Sequence, residues 1–156
     1  MTVRRVESLL AGHPVFRDFD AATLAELAGC ARLKRFEAGA TIFREGDPAE
    51  RVHLLREGDV ALELSAPGRE PLVIETLDAG EVLGWSWLVP DHRAMSTARA
   101  LTAVATVSLD ATCIRAKCDA DPALGYAMFK RWVPHLSARV RAQRMQVLDL
   151  FAGRTG

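Results

Sequence analysis

Between Leu33 and Leu109 every apolar run is short, and a glycine, proline or acidic corner closes nearly all of them. Thr41-Ile42-Phe43 reads as a short strand, ended by the corner Glu45-Gly46-Asp47-Pro48. Arg51 to Leu55 is the next, ended by Arg56-Glu57-Gly58-Asp59. Val60, Leu62 and Leu64 then alternate with Ala61, Glu63 and Ser65, the period of a half-buried strand. Ala66-Pro67-Gly68-Arg69 turns the chain into a strand from Leu72 to Leu77, and Asp78-Ala79-Gly80 turns it again. Ala98 to Leu109 adds two short strands about Leu101-Thr102. Short strands at even spacing bury their apolar faces only by pairing into a sandwich or barrel. No βαβ alternation occurs, so a doubly wound sheet is excluded.

Around that block the period is helical. Val3 to Leu10 puts Val6, Leu9 and Leu10 on one side, and His13-Pro14 breaks the helix. Phe16 and Phe19 form an apolar pair beside a turn, and Asp20 caps a helix over Ala21 to Cys30. Thr112 is expected to cap a short helix, Cys113 to Cys118. Asp121-Pro122, an N-cap followed by proline, opens a helix carrying Tyr126, Phe129 and Trp132. Pro134 should kink it or start a new one, and from there to Ala152 nothing interrupts the pattern. With 156 residues and no interior linker rich in Pro, Gly or Ser, the whole of 1–156 is expected to form one domain.

Composition narrows the function. Formal net charge is zero, against the basic excess of a nucleic-acid-binding domain. The three cysteines, Cys30, Cys113 and Cys118, are odd in number and lack a CxxC spacing, so free thiols in a reducing cytoplasm are expected, with no disulfide and no metal site. His13, His53, His92 and His135 are scattered with no His-x-His pair, which speaks against a metal-dependent cupin, and no catalytic residue is assigned. No apolar run reaches membrane-spanning length, so no membrane partner is expected.

The least regular stretch is Gly80 to Ala100, where two glycines, Trp85, Trp87 and Pro90 gather between a turn and a short helix. Together with three spaced motifs it carries a family likeness. Gly39-x-x-Ile42-x-x-x-Gly46-Asp47, Leu55-x-x-Gly58-x-Val60 and Ala79-Gly80-x-x-x-Gly84, in that order, resemble the cyclic nucleotide-binding domain, the sensor domain of the catabolite activator protein and of cyclic-AMP-dependent kinase regulatory subunits. The likeness spans about residues 14 to 152. It implies an α+β fold: a β-roll of jelly-roll type over about 31–110, N-terminal helices before it, and C-terminal helices over about 112–152 ending in a long one.

The resemblance also implies a ligand site. The family's phosphate-binding cassette has the form Phe-Gly-Glu-Leu-Ala-Leu, then Pro-Arg-Ser/Thr-Ala-Thr. Its glutamate accepts the ribose hydroxyl and its arginine pairs with the cyclic phosphate, while backbone N–H groups of the short helix complete the cradle. Here Leu83-Gly84-Trp85-Ser86-Trp87-Leu88 falls on the first half, with Trp85 in the glutamate position. Ala94-Met95-Ser96-Thr97 falls on the second, with Ala94 in the arginine position and Arg93 one residue early. Two charge-assisted contacts worth roughly 1.5–3 kcal/mol each are lost, so cyclic AMP should bind some two to four decades more weakly. The expected ligand-binding set is Leu83, Gly84, Trp85, Ser86, Arg93, Met95, Ser96 and Thr97, with Gln143 and Arg144 from the long helix. Trp85 is expected to face the ribose and phosphate site.

Val133, Leu136, Val140, Gln143, Val147 and Leu150 follow one another at spacings of 3, 4, 3, 4 and 3, the seam of a two-helix coiled coil and hence of a homodimer. A second face, Met145, Leu148 and Ala152, is expected to pack on the roll. The expectation for function is a non-enzymatic regulatory module that binds a cyclic nucleotide or another small ligand and signals to a protein partner. No helix-turn-helix follows within the sequence, so direct DNA binding is not expected. The competing expectation is a ligand-independent scaffold whose pocket is filled by tryptophan.

Overall fold

The computed structural model describes residues 3–153. Three segments, α1 (Val3–Gly12), a 3-10 turn Pro14–Phe16 and α2 (Ala21–Ala28), lead into the strands β1 (Ala31–Phe36), β2 (Thr41–Phe43), β3 (Arg51–Glu57), β4 (Val60–Ala66), β5 (Arg69–Leu77), β6 (Val82–Leu83), β7 (Thr97–Ala100) and β8 (Val104–Asp110). A second 3-10 turn, Trp85–Leu88, lies between β6 and β7, and α3 (Ala111–Ala120) and α4 (Pro122–Ala152) complete the order. The strands form two antiparallel sheets, β1-β8-β3-β6 and β2-β7-β4-β5, facing each other as a roll. The α+β roll with its long C-terminal helix is thus as the resemblance implied.

Strand alternation sends side chains of the first sheet into two separate cores. Val52, Leu54, Val107 and Leu109 face the helices and pack with Leu10, Phe16, Leu27, Ile114, Met128 and Trp132. Leu55 and Val104 face into the roll and pack with Val60, Leu62, Leu77, Leu83, Ala98 and Ala100. The hairpin at Gly58 lets the strands close: its φ is 92°, and a Cβ there would lie 2.2 Å from the carbonyl oxygen of Ala103.

The helix starts follow from side-chain caps. Asp20 accepts from the Thr23 N–H at 2.7 Å, and Asp121 accepts from the Leu124 N–H at 3.3 Å. The cap of α3 is Asp110, which accepts from the Cys113 N–H at 2.8 Å, and not the expected Thr112. The helix also runs unbroken across Pro134, which leaves one carbonyl of the preceding turn without its usual donor but does not divide α4.

Two further expectations are corrected. Cys30 and Cys113 form a disulfide, with Cα atoms 5.7 Å apart, and only Cys118 is free. Close spacing in sequence was the wrong criterion: the 83-residue separation is closed by the roll, which returns the chain from the end of α2 to the start of α3. Closing so long a loop stabilises by about 4 kcal/mol through the unfolded chain. The second apolar face of α4 does not pack on the roll. Met145 and Leu148 are 54% and 59% exposed, because α4 extends past the roll and every residue from 141 to 152 is exposed.

Candidate functional site

The site is built where β6 ends. Val82 and Leu83 pair with Leu54 and His53 of β3, and the chain then reverses at Gly84, whose φ is 91°. A Cβ at Gly84 would stand 3.0 Å from the Arg51 carbonyl oxygen, so the close approach of the turn to β3 needs glycine. The turn Trp85–Leu88 follows, tied to α3 by the Arg115 guanidinium, which donates to the Trp87 carbonyl at 3.1 Å.

In this turn Trp85 and Trp87 both point at Trp132, edge-on, with ring centroids 5.5 Å and 5.3 Å away. A 3-10 turn advances by a third of a circle per residue, so positions i and i+2 can flank one indole while i+1 faces elsewhere. Trp85 therefore turns away from the cassette and joins the helical core, against the expectation that it would face the ribose and phosphate site.

With the indole withdrawn, a cavity of about 280 Å³ remains in the roll. The cassette side of it is lined by Gly84, Ser86 and Ala94. The other walls come from Lys34 of β1, Ile42 and Phe43 of β2, and Arg51 and His53 of β3, with Asp47 and Glu50 among the residues of the β2–β3 connection. His53 Nδ1 lies 2.6 Å from the Ser108 hydroxyl, which is 2.9 Å from that of Thr106. Its ring stacks on Phe43 at 6.2 Å and meets the edge of Phe36 at 5.8 Å. Burial, then the nearby Lys34 and Arg51 charges, push its pKa down to about 3, so the imidazole is neutral at pH 7. Burial and the Arg51 and Arg32 charges also lower the Lys34 pKa, against a smaller opposing effect of Glu50.

The helix side of the roll is closed by an ion pair. Arg139 of α4 donates from Nε and Nη2 to the two carboxylate oxygens of Glu75, each at 3.0 Å, and from Nη1 to the Val82 carbonyl at 3.0 Å. Gln143, one turn on, donates to the same carboxylate at 3.3 Å.

The other expected site residues scatter. Leu83 is buried in the roll core. Arg93 is exposed and donates to the Gly46 carbonyl at 2.9 Å, outside the cavity lining. Met95 is 60% exposed. Ser96 is half-buried and is not part of the cavity lining. The Thr97 hydroxyl accepts from the Glu45 N–H and lines a separate outer hollow with Glu63 and its ion-pair partner Arg99. Arg144 lies on the exposed side of α4 beside Val133, Leu136 and Val140. Gln143 reaches Glu75, whereas Val133, Val147 and Leu150 are half or more exposed.

Lys34, Arg51, His53, Glu75 and Arg139 were not singled out from the sequence. One signal was present. In Arg51-Val52-His53-Leu54-Leu55 the one position between the core residues Val52 and Leu54 is the polar His53, although the strand is covered on both sides. Polar side chains on a covered face mark a cavity or a network.

A family model described as "Cyclic nucleotide-binding domain" matches residues 33–121. A cyclic nucleotide-gated potassium channel of Mesorhizobium japonicum is 29% identical over 114 residues, 73% of this chain and 30% of that one. A CRP-like cAMP-activated global transcriptional regulator of Mycobacterium tuberculosis is 27% identical over 111 residues, 70% of this chain and 49% of that one. The match thus spans half or less of these curated relatives. Among solved structures, a cyclic nucleotide-binding domain from Methylobacillus flagellatus superposes with a TM-score of 0.78 at 18% identity, over 94% of this chain and 83% of that one.

Proposed function

The chain belongs to the cyclic nucleotide-binding domain family, and on that premise we propose that it is a non-enzymatic sensory module whose ligand occupies the cavity of the roll. The observation that carries this reading is the open cavity itself. Trp85, which replaces the cassette glutamate, is spent on Trp132, and about 280 Å³ stays free beside Gly84, Ser86 and Ala94. That favours a ligand over the scaffold reading, in which tryptophan fills the pocket. The relatives described as cyclic nucleotide-gated and cAMP-activated support a regulatory role, with the output carried by a partner protein.

The signal leaves the roll through α4. Glu75 of β5 holds Arg139 and Gln143, so a ligand that displaces or tightens β5 acts on the helix directly. Arg144, expected in the ligand-binding set, takes no part in this contact and lies on the outer side of α4. Along the same helix Val133, Leu136, Val140, Val147 and Leu150 are exposed, an apolar stripe that a second copy of this chain would cover as a parallel coiled-coil dimer.

The first test is a melting-shift screen across cyclic mono- and dinucleotides, followed by calorimetry. A positive shift is expected for at least one compound, and cyclic AMP is expected to bind with a dissociation constant above about 1 μM, since both cassette anchors are gone. No shift with any compound would favour the scaffold reading. Light scattering tests the dimer: the native chain should have twice the monomer mass, and Val140→Glu with Val147→Glu should return it to monomer. A native monomer at about tens of micromolar, where even a weak coiled coil associates, would end the dimer reading.

A further inference from the structure

The charge of the cavity has an unexpected source. Ala94 stands where the cassette arginine would be, and Arg93 is turned outward onto the Gly46 carbonyl. Two cations nevertheless line the cavity, Lys34 and Arg51, on the strands that flank β8 in the first sheet. Both are half-buried, and among the described residues neither has a carboxylate at ion-pair distance. Arg51 Nη1 is covered and has no hydrogen-bond partner. The two acids of the lining, Asp47 and Glu50, are exposed, and the Asp47 carboxylate accepts from the Arg44 N–H instead.

The strand register brings these cations toward one point. Lys34 pairs with Thr106 and Arg51 with Asp110, while His53 pairs with Ser108 between them. Long side chains from two strands thus converge above a neutral imidazole, with the Ser86 hydroxyl on the neighbouring turn lining the same space. Like charges repel across such a cavity, Glu50 offsetting only part of the effect on Lys34, and a covered guanidinium nitrogen without a partner is costly. A fold keeps this arrangement at a loss unless an anion completes it.

We propose that Lys34 and Arg51 form an anion site in the roll that holds a phosphate group of the ligand, replacing the cassette arginine from the strands β1 and β3. This rests on the reading of the roll cavity as the ligand site. Two converging cations match a phosphate in charge, and the guanidinium fork matches its oxygens. The Lys34 and Arg51 charges add to burial in lowering the His53 pKa, and the Arg51 charge does the same for Lys34, so a bound anion would relieve that part of both shifts.

The test is an NMR titration of the full chain, with inorganic phosphate and cyclic AMP as separate probes. Phosphate is expected to move the His53 and Ser86 signals and to raise the His53 pKa. Lys34→Gln and Arg51→Gln should each weaken phosphate at least about tenfold, or 1.4 kcal/mol. Both variants should melt no lower than the native chain without ligand, because removing either charge relieves repulsion; a lower melting temperature would mean that the charge is structural and would overturn the proposal. Cavity signals that move with either probe equally in native and variant chains would also overturn it, leaving the roll cavity as ligand site. No movement with either probe at about 10 mM, far above any physiological affinity, would overturn both readings together.

Discussion

The first sheet presents two faces built from the same strands, one residue out of step. On the helix side Val52, Leu54, Val107 and Leu109 meet Phe16, Met128 and three tryptophans in a buried apolar core. On the roll side Arg51 and His53 line a cavity, and hydrogen bonds link His53 to Ser108 and Ser108 to Thr106 while Phe43 stacks on the imidazole. Alternation alone separates them, because neighbours along a strand face opposite ways. The difference divides the labour of the sheet: one face holds the fold, and the other is left room to bind.

The largest expected effect comes from attacking the holding face. Trp132→Ala removes the indole that Trp85, Trp87 and Phe16 all meet. It should cost about 3–5 kcal/mol and, for a chain of this size, lower the melting temperature by about 10 °C or more. A loss as small as that of an exposed substitution would mean that the helix-side core is not what holds the sheet.

Acid should act on both faces at once. His13, on the helix side, is held down to about 4, first by burial, while His53, on the roll side, is held at about 3. Both folded values lie below the unfolded one, so the unfolded chain binds more protons between them and stability falls as pH drops below about 6.5. Each histidine contributes about 2–3 kcal/mol of that loss by pH 4.5. Chemical denaturation at pH 7 and 4.5 should show the fall. His53→Gln should remove only the roll-side share, and a pH-independent midpoint in the native chain would contradict the neutral burial of both rings.

How far the two faces were legible in the sequence follows from the same alternation. The glycine corners at 46, 58, 68 and 80 delimit the strands because each carries a positive φ that a side chain would resist. Asp20 and Asp121 announced their helices through caps. The site was less legible. The cassette register located Gly84 and Ala94, but the direction of Trp85 depends on the 3-10 geometry of its turn and on Trp132, far away in sequence. Lys34, Arg51 and His53 come from strands whose pairing with β8 brings them together, which spacing along the chain does not encode. The Cys30–Cys113 bond was missed for the same reason, and the exposed end of α4 because amphipathic stripes do not say what covers them.

Smaller effects should sharpen the boundary between the faces. Gly84→Ala forces a side chain into the left-handed region and against the Arg51 carbonyl, at a cost of about 1–3 kcal/mol. Because the turn joins the cavity to the tryptophan cluster, the variant should lose both stability and ligand response; loss of only one would show that the two faces are not coupled there. Arg51→Gln, on the binding face, should not lower stability and should raise it by less than about 1 kcal/mol in denaturant, in contrast to Trp132→Ala.

The most direct test is to map where a ligand acts. A second, smaller cavity of about 190 Å³ lies on the helix side, lined by Trp87, Arg115, Cys118, Met128 and Trp132, and serves as the internal control. Backbone amide shifts should be recorded while the best compound of the melting screen is added. The account predicts that the largest changes fall on Lys34, Arg51, His53, Ser86 and Ala94, with those of Cys118, Met128 and Trp132 small. Changes centred on Cys118, Met128 and Trp132, with the roll residues still, would contradict it.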